Sequence, residues 1–195
     1  AYDNYFWRAL LPERYARERG MLAEAAIAEL MPKFESCRGT LAWYCMDHWC
    51  RETGLDIVAL KRESREQISV LPGIEAFLMA LKAQGKRLWL VTNAHPGVLD
   101  IKREMTGIDR WFDHVVSSHD IGEPKESADF WPRLHRYQAF DRRRTLFADD
   151  SLPVLSAARD YGIAHVVGIG WPDRSQPPAA LPGFTTVHAL PELLP

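Results

Sequence analysis

The sequence is poor in cysteine, in net charge and in long apolar runs, and each shortage excludes something. Its cysteines number 3, Cys37, Cys45 and Cys50, an odd set with no CxxC pair. That pattern fits no disulfide framework, and free thiols in a reducing cytoplasm are the simplest reading. Lys and Arg total 24 against 26 Asp and Glu, a net charge of −2. No basic footprint therefore marks a nucleic-acid or anionic-membrane partner. No apolar stretch nears the roughly 20 residues that span a bilayer, and no signal peptide opens the chain. The histidines lack HxH or HExxH spacing, which argues against zinc. Repeats and low-complexity segments are missing too. What remains is 195 residues, 47% hydrophobic and 26% charged. That is enough for one α/β domain, or a smaller one carrying an insertion.

Residues 1 to about 70 carry helical patterns and no convincing strand. Helices fit up to Gly20, with Asp3 or Asn4 as cap, then 21–35, Thr40 to Thr53, and 56–69. After Pro72-Gly73 the texture changes. Ile74, Phe77, Leu78 and Leu81 sit at i, i+3, i+4, i+7, an amphipathic helix closed by Gly85. Short apolar runs at 87–92, 113–118, 144–148 and 163–168 read as buried parallel strands, with a last one near 184–187. Helices fit between them at 96–106, after an Asp129 cap, and from Ser151 to Tyr161. Strands alternating with helices predict an α/β fold, a Rossmann-like parallel sheet with helices on both faces.

Ligands bind beyond the carboxyl ends of such strands. Thr92-Asn93 ends one strand, Lys125 lies in the Gly122-to-Glu126 loop after the next, and Asp149-Asp150 ends a third. Adjacent carboxylates are costly to keep ionised together unless a cation neutralises them. Mg²⁺ takes one or two carboxylates and leaves room for water and phosphate oxygens. The Thr92 hydroxyl and Asn93 N–H can donate to a phosphoryl oxygen, and Lys125 adds a compact positive charge. Singly, each has a plain reading as a strand end, a solvated loop lysine or a helix cap. Together they form an electrostatic clamp on a phosphoryl group. Tyr5, Phe6, Trp7, Trp43, Tyr44 and Trp49 are dense enough to stack on a purine, but most read better as the packing core of the helical segment. His95, close behind Thr92, reads equally as a site neighbour or a plain loop residue. Cys45 and Cys50 read as small core residues.

These residues resemble the haloacid dehalogenase-like hydrolase superfamily. LWLVTN at 88–93, Lys125 and LFADDS at 146–151 resemble its second, third and fourth motifs. More narrowly, DNYFW at 3–7, LAWYC at 41–45, TNAHP at 92–96 and PKE at 124–126 resemble bacterial GMP/IMP 5′-nucleotidases of that superfamily. The resemblance implies a helical cap over 1–70 and an α/β core over 71–195. It implies Thr92, Lys125 and Asp150 as catalytic, Thr92, Asn93 and Lys125 as substrate-binding, and Asp149 and Asp150 on Mg²⁺. The implied partner is a small phosphate ester, a purine nucleotide in the narrower match.

One departure is large. The family's first motif, DxDx(T/V), supplies the nucleophilic and the acid/base aspartates, and nothing here matches it. Asp3 lacks both a second carboxylate and a preceding apolar strand. The expectation is a first strand upstream of Ala1 that carries this motif. Another small phosphate ester, or a non-catalytic binding module without the nucleophile, are the alternative readings. Oligomeric state has no sequence signal.

Overall fold

The computed structural model describes residues 2–194. They fall into two units, 2–69 with 94–107, and 70–93 with 108–194.

The first unit is helical. α1 (Tyr2–Tyr5), a π-helical turn (Phe6–Leu10) and α2 (Leu11–Arg19) run on without a break. A π turn holds one residue more than an α turn. Phe6 and Leu11, five apart, therefore both face inward at 0% exposure. α3 (Ala23–Cys37) buries Ala26, Leu30 and Phe34 at helical spacing. The helix expected over 40–53 is two helices, α4 (Leu41–Tyr44) and α5 (Met46–Thr53), because Cys45 is extended at φ −85°, ψ 113°. Across that break the Trp49 indole N–H donates to the Trp43 carbonyl at 2.8 Å. The rings of Trp7, Phe34, Trp43 and Trp49 pack with centroids between 5.1 and 6.4 Å apart. These tryptophans and Phe6 are packing core, as expected, while Tyr5 stays exposed. α6 (Ile57–Glu63) starts at Asp56, whose side chain accepts from the Ala59 N–H at 2.9 Å.

α7 (Ile74–Ala83) and β1 (Trp89–Thr92) belong to the second unit, and α8 (Pro96–Thr106) returns to the first. Val98 of α8 joins the helical unit's core. On its surface Glu104 pairs with Arg62, and Lys102 with Asp3. Asp3, expected as a helix cap, lies inside α1 and accepts from Lys61 at 2.8 Å and from Lys102 at 2.9 Å. Burial works against the Asp3 charge, but Lys102 and Lys61 outweigh it and hold its pKa at about 2. Lys61 is 1% exposed, and burial pulls its ammonium below the usual range while Asp3 opposes that shift. The rings of Phe6, Tyr2 and Trp7 surround that ammonium at 4.2, 4.9 and 5.3 Å.

The second unit is α/β. After β1 come β2 (His114–Ser117), α9 (Ser118–Ile121), α10 (Phe130–Tyr137), β3 (Leu146–Asp149), α11 (Leu152–Tyr161), β4 (His165–Ile169) and β5 (Thr185–Val187). All ladders are parallel, as the alternation predicts. The strands form two sheets, β1-β2 and β3-β4-β5, with no ladder joining β1 to β3 among the described residues. One apolar cluster gathers Val116, Phe130, Trp131, Leu134, Ala158 and Ile163 with Trp89 and Phe147 against it. A second forms around Phe77, Leu78 and Leu88.

Candidate active site at the carboxyl ends of the strands

Parallel pairing brings the strand ends level. Thr92 is opposite Ser117, and Asp149 is opposite Gly168. Thr92 and Asn93 therefore leave β1 where the chain beyond β2 turns toward Lys125. A short helix unseen in the sequence, α9, starts that turn. Ser117 caps it, accepting from the His119 N–H while the Ser117 N–H donates to Asp120 at 2.8 Å.

Side chains then cross-link the loops. The Asn93 side-chain oxygen accepts from the Lys125 N–H at 2.9 Å, and its amide nitrogen donates to Glu126 at 2.9 Å. The Trp131 indole donates to the Lys125 carbonyl at 3.1 Å. The loop backbone is thus fixed from both sides, and the Lys125 ammonium donates to Asp149 Oδ2. The two side chains are 11% and 8% exposed, so each neutralises a charge that water hardly reaches. The other Asp149 oxygen accepts from the Ser151 N–H at 3.0 Å.

The structure thus brings Asn93, Lys125 and Asp149 into one hydrogen-bonded cluster. Thr92 precedes it at the β1 end, half-buried, and Asp150 follows it, exposed. Two expected caps are not made, because Asp129 and Ser151 accept no capping bond through their side chains. Ser151 instead gives its N–H to Asp149. His95 makes two contacts within the helical unit: its Nδ1 accepts from the Gly97 N–H at 3.2 Å at the start of α8, and its Nε2 lies 3.8 Å from Asp47. Sequence reasoning assigned Asn93 only its backbone N–H and missed its side chain as the brace between β1 and the Lys125 loop. The adjacent Pro-Lys-Glu run, with one residue to accept from an amide, was the available signal.

The donor set fits a hard divalent cation. A carboxylate has about four lone-pair sites. Asp149 uses two of them, on Lys125 and Ser151. Asp150, next along the chain, adds a second, solvent-exposed carboxylate residue beside it. One or two such oxygens with water and phosphate completing the shell is how Mg²⁺ is bound.

Residues 6–162 match the sequence profile of the haloacid dehalogenase-like hydrolases. The GMP/IMP nucleotidase YrfG of Escherichia coli is 39% identical over 173 residues, 89% of this chain and 78% of that protein. The same fold is seen in the HAD phosphatase from Thermococcus onnurineus (TM-score 0.75, 20% identity, 94% of this chain and 86% of that one). An L-2-haloacid dehalogenase from Xanthobacter autotrophicus is likewise similar in fold (TM-score 0.60, 15% identity, covering 94% and 89%). With its profile match and its nucleotidase relative, the chain belongs to the haloacid dehalogenase-like hydrolases.

Proposed function

We propose that the protein is a Mg²⁺-dependent phosphatase for a small phosphate monoester, a purine 5′-nucleotide of the GMP/IMP type. The observation that carries this reading is the Asn93–Lys125–Asp149 cluster at the strand ends, which holds a buried ammonium where ligands bind in a parallel sheet. The Escherichia coli relative, a GMP/IMP nucleotidase by name, supports the substrate class. Residues 1–70 are assigned as the cap that selects the substrate, and 71–195 as the core that carries the chemistry. The three free thiols fit a cytoplasmic setting.

The Thr92 hydroxyl and the Asn93 N–H donate to phosphoryl oxygens, and the Lys125 ammonium offsets their charge. Asn93 and Trp131 keep that lysine from swinging away, so the clamp is formed before substrate arrives. Asp149 and Asp150 would hold Mg²⁺, which when bound supplies positive charge against the repulsion between an anionic nucleophile and an anionic substrate. The nucleophile that the family resemblance implies is an aspartate of the DxDx(T/V) motif, which these 195 residues do not contain. Its carboxylate oxygen bonds to phosphorus as the ester P–O bond breaks, and the motif's second carboxylic acid gives its proton to the leaving oxygen. Water then attacks the aspartyl-phosphate, the second carboxylate takes the water's proton, and inorganic phosphate leaves. A metal-free dehalogenase works on an uncharged carbon centre, where the neighbouring acids Asp149 and Asp150 would be a burden.

The test is phosphate release from GMP and IMP by the full-length protein with and without Mg²⁺. Sequencing of the full-length protein checks for the DxDx(T/V) motif that would supply the nucleophile. Asp150→Asn is expected to lower kcat by at least about 100-fold with the melting temperature unchanged. Retained turnover at saturating Mg²⁺ sinks the metal assignment. Phosphate binding without any turnover favours the non-catalytic module.

A further inference from the structure

Strand β4 pairs with β3 so that Gly168 is opposite Asp149, and the chain runs on past Ile169 on the same sheet edge. Trp171 follows two residues after the end of β4. The loop that follows is closed at its base. The Ala179 N–H donates to the Gly170 carbonyl at 2.7 Å, and the Gly170 N–H to Val187 at 2.8 Å. A Cβ on Gly170 would meet the Ala179 oxygen at 2.6 Å, so only glycine lets the two ends of the loop approach this closely. Inside the loop the Trp171 indole donates to the Gln176 carbonyl at 2.7 Å. Asp173 accepts from the Ser175 N–H at 3.0 Å and from its hydroxyl at 2.7 Å.

This loop presents one exposed cation. The Arg174 guanidinium lies over the Trp171 ring, 4.1 Å from its centroid. No carboxylate is within ion-pair distance of Arg174 among the described residues. A guanidinium lying over a ring keeps its N–H groups in its own plane, directed sideways and pre-oriented as a fork. A fork of donors without an acceptor suits a ligand with two adjacent acceptors.

We propose that Arg174, braced by Trp171, is a specificity-determining residue that recognises the 6-oxopurine edge of the substrate base. The inference rests on the phosphatase reading above and adds a base recogniser from the α/β unit. Guanine and hypoxanthine offer O6 and N7, two acceptors that an arginine fork can bind together. Adenine replaces O6 with an amino donor, which meets only donors on arginine. One residue thereby separates GMP and IMP from AMP.

The test is steady-state kinetics of the full-length protein with Mg²⁺ on GMP, IMP, AMP and p-nitrophenyl phosphate, which has no purine. In the wild type GMP and IMP should be preferred to AMP. Arg174→Gln should lower the ratio of kcat/KM for GMP to that for AMP by roughly 10- to 100-fold, chiefly through KM. Arg174→Lys keeps the charge but loses the fork, and should not restore the ratio. An unchanged ratio in both variants overturns the inference and leaves the pair as a loop staple. Equal losses on all four substrates also overturn it, since the residue would then serve phosphate handling or folding. A wild type that hydrolyses p-nitrophenyl phosphate without preferring GMP over AMP defeats this inference alone. A wild type inert on every phosphate ester defeats the phosphatase reading, and the inference falls with it.

Discussion

At the residue scale, two lysines are held away from water by single carboxylates, and their surroundings set their tasks apart. Lys125 meets Asp149 at a strand end, beside the exposed Asp150. Lys61 is enclosed by aromatic rings in the helical unit, with Asp3 shared between it and Lys102. The Asp3 carboxyl titrates at about 2 when folded, against about 3.9 in an unfolded chain. The unfolded state therefore binds its proton first as pH falls. The stability that Asp3 contributes is complete above about pH 4 and is lost toward pH 2. Its side chain is 52% exposed, so solvent screening keeps that pH-dependent part to no more than about 1 kcal/mol. Asp3→Asn is expected to cost about 3 kcal/mol near neutrality, mostly by leaving the Lys61 charge buried without its carboxylate. Urea unfolding at pH 7 and at pH 3 checks both statements: the gap between wild type and variant should narrow at the lower pH. A constant gap would remove Asp3 as the titrating group.

At the element scale, helix α3 contains Pro32 well inside its span. Proline there has no N–H for the carbonyl four residues back, and its ring crowds that carbonyl. The helix persists because Ala26, Leu30 and Phe34 are buried on its inner face, and that burial outweighs the local penalty. Pro32 itself is exposed, so replacing it leaves no cavity. Pro32→Ala should stabilise the protein by about 2 kcal/mol, a helix gain near 3 kcal/mol less the greater freedom of the unfolded chain. A rise in melting temperature is the readout, and a fall would mean that the proline is needed to shape the α3 turn. The same balance explains the break at Cys45. Fourteen residues of helical pattern over 40–53 yield to an extended residue, because Trp43 and Trp49 then both reach the aromatic cluster.

At the scale of the whole molecule, the helical unit is discontinuous along the chain. α8 lies between β1 and β2 in sequence, yet Val98 packs in the helical core. Ile101 on the same helix is 0% exposed. A fragment of residues 71–195 carries α8 without the rest of its unit, and so exposes those side chains. Its soluble yield should be lower than that of the same fragment with 94–107 replaced by a short Gly/Ser linker. Equal yields would mean that α8 needs no partner from residues 2–69.

The sequence alone determined the kind and order of most elements and the polar residues at three strand ends. Those signals are local: a 3.6-residue or short apolar period, a glycine at a helix end, a hydroxyl or acid after a buried run. The strand-end positions of Thr92, Asp149 and Asp150 were legible in this way. Only the tertiary structure decided which groups meet. It tied Asn93 to Lys125 and Glu126, paired Lys125 with Asp149, and gave His95 to the start of α8. It also enclosed Lys61 and laid Arg174 on Trp171. Such contacts join residues far apart in the chain, or depend on the turn a loop takes. Each is stable only once many weak packing terms have fixed the backbone around it, and no local pattern carries that information.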